Sequence, residues 1–162
     1  MRKQISLLLA LCAVGFAQAQ EATYTVRQMV PETALRAAQA ALDSCRKAGY
    51  QVAVAVVDRG GLPQVLLRDR FAGPHTVEMA IDKAWTAVSF RTSTALLADM
   101  TQGAPFAGIR YRPRVATVGG GLTVEAAGAI LGGIGVSGAP GGDRDEACAR
   151  TGISAVQSDL EF

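Results

Sequence analysis

The sequence predicts an α+β fold, a single domain in which one mostly antiparallel sheet has helices packed on it. One reason is the order of elements along the chain, which is helix, strands, helices, strands, helix. A second is that apolar runs are joined by short glycine-containing turns, which favours antiparallel hairpins. A third is that 162 residues without a repeat, a linker or a low-complexity tract suit one hydrophobic core.

The first predicted element is a helix over residues 31–48. Pro31 stands in the first turn, Glu32 carries the negative charge that helix starts favour, and Gly49 ends the helix. Four residues at helical spacing form its predicted apolar stripe: Leu35, Ala38, Leu42 and Cys45.

A β-hairpin is predicted next, over residues 50–69. Two apolar runs flank Arg59, Gly60 and Gly61, and glycines accept the positive φ angles of tight hairpin turns. The elements that follow are helices over 76–90 and 93–100, a loop over 101–110, a strand over 115–118, a turn over 119–121, and strands over 122–125 and 129–136.

The glycine-rich segment 132–142 contains Gly133-x-Gly135-x-x-Gly138, which is the spacing of a dinucleotide-binding loop. That function needs a helix and then a further parallel strand, and the 24 residues after Gly138 leave no room for the strand. We instead expect glycines that let another backbone approach the strand closely, or that form a bulge.

The chain is predicted to end in a turn over residues 137–142 and a helix over 143–157. Asp143 or Asp145 is expected to cap this helix, because a carboxylate accepts hydrogen bonds from the free N–H groups of the first turn.

Motifs along residues 31–157 together resemble one known family. They are VAVVDxxG and RD in the hairpin, A-x-x-K-A-x-T-A in the helix behind it, and GxIGVSGAxxxxxDE-x-C-A-x-x-GI near the end of the chain. In this order they resemble the GlcG/HbpS-type haem-binding family, also called haem-degrading, and the related C-terminal domain of PduO-type proteins. The resemblance implies a profilin-like layout, self-association into a homo-oligomer, and haem or iron as the ligand.

Residues 1–19 have the features of a secretory signal peptide. Two basic residues open the segment, residues 5–16 are apolar, and Ala17 and Ala19 are the small residues of a cleavage site. The apolar run is too short to span a membrane. We therefore expect cleavage after Ala19 and a periplasmic or secreted protein of residues 20–162 without a membrane anchor.

The charge balance excludes two classes of partner. The chain has 16 basic and 14 acidic residues, and loss of residues 1–19 removes two basic ones, so the exported form is formally neutral. Nucleic acid and anionic lipid both favour a basic surface. Arg110, Arg112 and Arg114 form the one basic cluster, which we expect to be a solvated strand edge or, alternatively, to hold a carboxylate such as a propionate.

Two cysteines remain after cleavage, Cys45 and Cys148, and the sequence leaves their state open. An oxidising compartment favours a disulfide. Both residues, however, lie on apolar faces of predicted helices, where a buried free thiol behaves as a small hydrophobic side chain.

The candidate binding residues lie at the start of the helix 76–90. The sequence lacks the motifs of a nucleophile elbow, a phosphate-binding loop, a zinc protease or covalently attached haem, so no catalytic residue is assigned. His75 is the only histidine, and the 100° rotation per helical residue places it on one arc with Glu78, Met79 and Asp82. The predicted core face of the same helix is formed by Val77, Ile81, Ala84, Trp85 and Val88.

Haem is the first ligand that this arc suits. Imidazole and thioether are ligands of haem iron, so His75 and Met79 are the predicted haem-binding residues, and Arg70 or Arg91 is predicted to hold a propionate. Because the chain has one histidine, the second axial ligand is open between Met79, Tyr111, water and a group from a neighbouring subunit.

A free iron ion is the second ligand that the arc suits. Imidazole and carboxylates bind non-haem iron, so His75, Glu78 and Asp82 are the predicted metal ligands. The same arc is also typical of ordinary solvated surface at a helix start.

Three functions are therefore open. The first, favoured mainly by the resemblance, is an exported haem- or iron-binding protein that acts as a scavenger, a carrier or the partner of a sensor. The second is an accessory protein or enzyme acting on a small carboxylated metabolite of the glycolate type. The third is an oligomeric accessory protein without a ligand. Degradation of bound haem is implied by the family resemblance alone.

Overall fold

The computed structural model describes residues 22–161, which form five α-helices and one four-stranded sheet. The predicted signal peptide and its cleavage site lie outside the described residues. The elements are α1 (Pro31–Lys47), β1 (Ala53–Asp58), β2 (Pro63–Arg68), α2 (His75–Phe90), α3 (Thr94–Met100), β3 (Gly121–Ala126), β4 (Ala129–Ser137), α4 (Gly142–Ser154) and α5 (Gln157–Leu160), with a 3-10 helix at Ala107–Tyr111 between α3 and β3. No helix among these residues is long and apolar enough to cross a membrane.

The four strands are antiparallel throughout and lie in the order β2-β1-β4-β3. This confirms the predicted α+β class and the predicted hairpin. In the turn between β1 and β2, a side-chain oxygen of Asp58 accepts the backbone N–H of Leu62 at 2.9 Å. Gly61 in this turn has φ +82°, a conformation that only glycine adopts freely.

Helices cover both faces of the sheet. On one face, α1 and α4 pack over side chains that alternate along the strands. On the other face, α2 packs against β1, β3 and β4. The strand residues of the first face are large and aliphatic, whereas those of the second are small: Ala53, Ala55, Gly121, Gly133 and Gly135 among them.

The glycines of β4 allow α2 to lie directly on the sheet, which confirms the prediction of a close backbone approach. A Cβ atom added to Gly135 would lie 2.1 Å from the carbonyl oxygen of Ala80, and one added to Gly133 would lie 2.9 Å from that of Ala84. The glycine spacing therefore serves helix–sheet packing.

Cys45 of α1 and Cys148 of α4 form a disulfide with an S–S distance of 2.09 Å, which closes the question that the sequence left open. Both residues are buried in the core between the two helices and the sheet. The bond spans 103 positions of the chain and ties together the two helices on one face.

Three sequence predictions before the final helix were wrong in detail. The predicted strand 115–118 is not a strand, because the backbone N–H of Ala116 is taken by the side chain of Thr86 on α2. Part of the predicted loop 101–110 enters the 3-10 helix. Leu35 is 48% exposed, since the buried stripe of α1 is centred on its alanines.

The predictions for the final helix were also wrong. It ends at Ser154 and is followed by the separate α5, whereas the sequence predicted one helix to residue 157. Gly141 occupies the N-cap position without a side-chain cap, so neither Asp143 nor Asp145 is the cap. The side chain of Asp145 turns inward instead and accepts the backbone N–H of Ala139 at 2.9 Å.

Candidate functional site

The turn that leads into α2 is held rigidly by a buried carboxylate. Asp69 is 1% exposed and accepts hydrogen bonds from Arg46 Nε at 2.8 Å and from the backbone N–H of Arg70 at 2.8 Å. The Arg46 hydrogen bond is the main reason that the pKa of Asp69 lies below its ordinary value. Arg68 donates to the carbonyl of Ala72 at 2.7 Å, so the chain enters α2 along a defined path.

His75 is the first residue of α2 and its side chain is exposed. The hydroxyl of Thr76 donates to the carbonyl of Gly73 at 2.6 Å and closes the turn beneath it. The imidazole lies against Gly73, where an added Cβ would be 2.7 Å from the ring atom Cε1. Glycine at position 73 therefore leaves the space in which the imidazole sits.

The predicted ligand face of α2 points away from the sheet. His75, Glu78 and Met79 are exposed, and Asp82 is half-buried. The predicted core face was right for Ala84 and Val88, but Val77, Ile81 and Trp85 are only partly buried. The residues that meet the sheet include Ala80 and Ala87, because a surface of glycine and alanine admits the small side chains of the helix and displaces the large ones to its flanks.

The two predicted propionate partners lie at opposite ends of α2. Arg70 is exposed in the turn before the helix. Arg91 is the left-handed C-cap residue, with φ +54°, and lies about 24 Å along the helix axis from His75 at 1.5 Å per residue. Arg91 therefore does not share one site with His75 of the same chain.

The predicted iron ligands do not converge within one chain. Among residues 22–161, no group of three His, Cys, Asp or Glu side chains is placed to hold a metal ion. Along the helix axis Glu78 and Asp82 lie about 4.5 and 10.5 Å beyond His75. The carboxylate of Asp82 accepts a hydrogen bond from Arg114 Nε at 3.1 Å, so it already has a cationic partner.

Arg114 is a site residue whose position the sequence did not reveal. Its guanidinium lies 4.7 Å from the centre of the Trp85 ring and is paired with Asp82. Arg114 and Asp82, together with Glu78 and Ile81, border an open cleft of about 310 Å³ on the outer face of α2. The only hint in the sequence was the arginine cluster.

That cluster does not form one solvated edge. Arg110 is half-buried and donates to the carbonyls of Thr101 at 2.9 Å and Ala98 at 2.5 Å, so it closes the loop after α3. Because the segment is a 3-10 helix and a turn, alternate residues do not share one side as they would in a strand. Tyr111, the alternative axial ligand, is 87% exposed at the end of the 3-10 helix.

A buried ion pair links α2 to α4. Lys83 Nζ lies 2.7 Å from a carboxylate oxygen of Asp145, and it also donates to the carbonyl of Val136 at 2.9 Å. The two side chains are 3% and 4% exposed, and burial is the main reason that the pKa of Asp145 is raised. Both residues belong to the motifs that carry the family resemblance, and the structure assigns them a packing role.

The chain matches the family model of the haem-degrading protein HbpS-like over residues 29–154. It is 35% identical over 121 residues to the corrinoid adenosyltransferase PduO of Salmonella typhimurium, a match that covers 73% of this chain and 36% of that protein. It is 32% identical over 108 residues to an uncharacterized 15.0 kDa protein from the dhaT-dhaS intergenic region of Citrobacter freundii, covering 65% of this chain and 76% of that one. The chain thus spans about a third of the length of its PduO relatives.

Solved structures show the same fold. A double mutant of HbpS from Streptomyces reticuli has a TM-score of 0.79 at 37% identity, covering 94% of this chain and 99% of that one. A complex of PduOC with haem has a TM-score of 0.74 at 32% identity, covering 79% and 94%. The Klebsiella pneumoniae protein ORFY, at 24% identity and a TM-score of 0.83 over 86% and 98%, supports the fold alone.

Proposed function

The chain belongs to the HbpS-like family of haem-degrading proteins, and from that premise we propose that it binds haem on the outer face of α2. The observation that carries the proposal is the placement of the only histidine, His75, as an exposed side chain at the start of that helix. The similarity to a PduOC structure in complex with haem supports the choice of ligand.

The residues around His75 fit what haem requires. An axial ligand needs an accessible nitrogen, and the exposed imidazole supplies one. The porphyrin needs apolar contacts, and Phe71 and Met79 are 79% and 37% exposed on either side of His75 in the sequence. A propionate needs a cation, and Arg70 in the preceding turn is the predicted partner. Bound there, haem would supply an iron centre for ligand exchange.

A second copy of the chain is part of this proposal. The outer face of α2 is open, so a flat porphyrin lying on it has one side turned away from the chain. A homo-oligomer would cover that side, together with exposed Phe71, and would supply a second axial ligand. The balanced charge of residues 20–162 supports self-association, because net repulsion between copies is weak. Sedimentation equilibrium at tens of micromolar tests this, and a monomer would contradict it.

We propose further that the protein is exported and serves as a haem scavenger, a carrier or the partner of a sensor. The support is the signal-peptide pattern of residues 1–19 and the disulfide, since disulfides persist in oxidising compartments. The intact mass of the secreted protein tests the export step, and an N-terminus at Gln20 is expected. Retention of Met1 would contradict it.

The test of haem binding is a titration of residues 20–162 with haemin, followed by Soret absorbance. Wild-type protein should bind, and His75→Ala should bind more weakly with a shifted Soret band, because the axial nitrogen is lost. The comparison variant on the same helix face is Glu78→Gln/Asp82→Asn, which should keep the wild-type Soret position and should not weaken haemin binding, because the imidazole of His75 is retained. An unchanged titration and spectrum in His75→Ala would overturn the axial assignment and direct attention to Met79 or Tyr111.

The same titration separates haem from the other ligands and functions that the sequence left open. Free iron stays a prediction that the geometry of one chain does not favour, because Asp82 is paired with Arg114. Protein that stays colourless and holds a small molecule in a pocket would favour the second hypothesis, the small carboxylated metabolite. Protein that holds no ligand would favour the third.

A further inference from the structure

We propose that Arg114 binds one carboxylate of the ligand on the outer face of α2, and that this carboxylate competes with Asp82 for the guanidinium. The inference rests on the proposed function and names a contact that the family match does not assign. For haem, the carboxylate is a propionate.

The backbone of Arg114 is held in place by α2. Arg114 has φ +71°, in the left-handed region that residues other than glycine rarely adopt. The fully buried hydroxyl of Thr86 donates to the carbonyl of Arg114 at 3.1 Å and accepts the N–H of Ala116 at 3.0 Å. The buried side chain of Thr86 therefore binds the backbone at two points of the turn and fixes the position of the Arg114 backbone.

The guanidinium of Arg114 is oriented on two sides. It stacks over the ring of Trp85, with 4.7 Å to the ring centre, and its Nε donates to Asp82 at 3.1 Å. A guanidinium has five N–H donors in a planar fork, which suits a carboxylate in two-point contact. The side chain is 46% exposed toward the cleft that it borders, so a ligand can reach it.

The charges of the cleft explain why a carboxylate must compete for Arg114. Glu78 and Asp82 lie one helical turn apart, and like charges at this spacing repel each other. Arg114 offsets that repulsion through its ion pair with Asp82. An incoming carboxylate gains the guanidinium at the expense of this pair, so removing the charge of Asp82 should strengthen its binding.

The spacing along α2 fits one ligand that reaches both His75 and Arg114. Asp82, which marks the position of the guanidinium, lies seven residues after His75, or about 10.5 Å along the helix axis. This is of the order of the span from the centre of a porphyrin to its propionate carboxylates. Half-exposed Met79 lies between the two ends, where the apolar ring would rest.

The experiment compares the binding of three porphyrins to the disulfide-bonded protein of residues 20–162. The three are haemin, haemin dimethyl ester and metal-free protoporphyrin IX. Affinity is read from absorbance, and quenching of Trp85, the only tryptophan, reports proximity to the stacked guanidinium. Arg114→Gln should weaken binding of haemin and protoporphyrin about tenfold, as expected for loss of a charge-assisted hydrogen bond. It should leave the dimethyl ester unchanged, because the ester carries no carboxylate.

Two further variants sharpen the result. Asp82→Asn should strengthen haemin binding a few-fold, opposite in sign to Arg114→Gln. Arg112→Gln, an exposed arginine in the same segment, is the matched control and should match wild type.

Haemin binding that is unchanged in Arg114→Gln overturns the role of Arg114 and leaves the proposed function standing. Equal weakening of haemin and its dimethyl ester also overturns it, since the loss would then be structural. Wild-type protein that takes up none of the three porphyrins overturns both proposals.

Discussion

The two faces of the sheet are packed by different means. On the face of α1 and α4, aliphatic side chains such as Val54, Val56 and Ile134 interlock with the helices, and a disulfide joins the helices to each other. On the face of α2, glycine and alanine let the helix backbone touch the strand backbone, as at Gly135 and Ala80. The first face is packed mainly by large aliphatic side chains, and the second mainly by small residues that bring helix and strand backbones into contact.

The packing of α2 against small residues of the sheet explains why the candidate site lies on this helix. A helix seated by backbone contact needs few large side chains for its own packing, so its outer residues are free to bind a ligand. Close contact also fixes the helix axis against the sheet, and protein interiors packed this densely allow little movement. The strand glycines that contact Ala80 and Ala84 therefore fix the axis of the helix that carries His75 and Thr86.

The largest effect is expected on the face of α1 and α4. Cys45→Ala/Cys148→Ala removes a bond across 103 positions of the chain and should lower the free energy of unfolding by about 4–5 kcal/mol. Urea denaturation measures the free energy of unfolding, and wild-type protein with the disulfide reduced serves as a control. Because neither cysteine lies on α2, the folded variant should keep the wild-type haem spectrum. A changed spectrum would show that the disulfide also holds the face of α2 in place.

The ion pair that joins α2 to α4 tests the link between the faces. Lys83→Met leaves the carboxylate of Asp145 buried without its cation and should cost about 3–4 kcal/mol. The double variant Lys83→Met/Asp145→Leu should recover most of that loss, because no unpaired charge remains buried. Equal losses in the single and double variants would assign the effect to packing volume.

The pH dependence of the free energy of unfolding of Lys83→Met tests the same ion pair. Burial already raises the pKa of Asp145, and loss of Lys83 should raise it further. A carboxyl group whose pKa is higher in the folded state than in the unfolded state stabilises the folded protein when it is protonated. That stabilisation is complete below the unfolded pKa and is lost as pH rises through the folded pKa. The variant should therefore gain stability relative to wild type as pH falls from about 7 toward 4. A constant difference across that range would contradict the burial of the charge.

The smallest of these effects is expected on the face of α2. Gly135→Ala places a Cβ 2.1 Å from the carbonyl oxygen of Ala80, so helix and sheet must separate, at a cost of about 2–3 kcal/mol. Gly103→Ala is the matched control, because nothing lies within 4 Å of an added Cβ there. The variant should also weaken haem binding, since α2 is displaced. Stability equal to the control would show that α2 is not seated by backbone contact.

Most elements of the fold could be predicted from the sequence because their signals are local. Pro31 and Gly49 bound α1, Gly61 turns the first hairpin, and the spacing of Gly133 and Gly135 indicated a close backbone approach. Where local signals competed with contacts distant in sequence, prediction failed. The segment 115–118 has strand composition, yet Thr86 takes its backbone N–H.

Four features could be predicted from the sequence, because periodicity, turn residues and motifs lie within short stretches: the class of the fold, its antiparallel hairpins, the family and the candidate histidine. Tertiary structure alone decided the disulfide and the pairing of Lys83 with Asp145, which join residues 103 and 62 positions apart. It likewise decided that Arg114 meets Asp82 from 32 positions away and that Arg91 lies far from His75. These contacts depend on which helix faces the glycine side of the sheet, and no spacing within one segment encodes that choice.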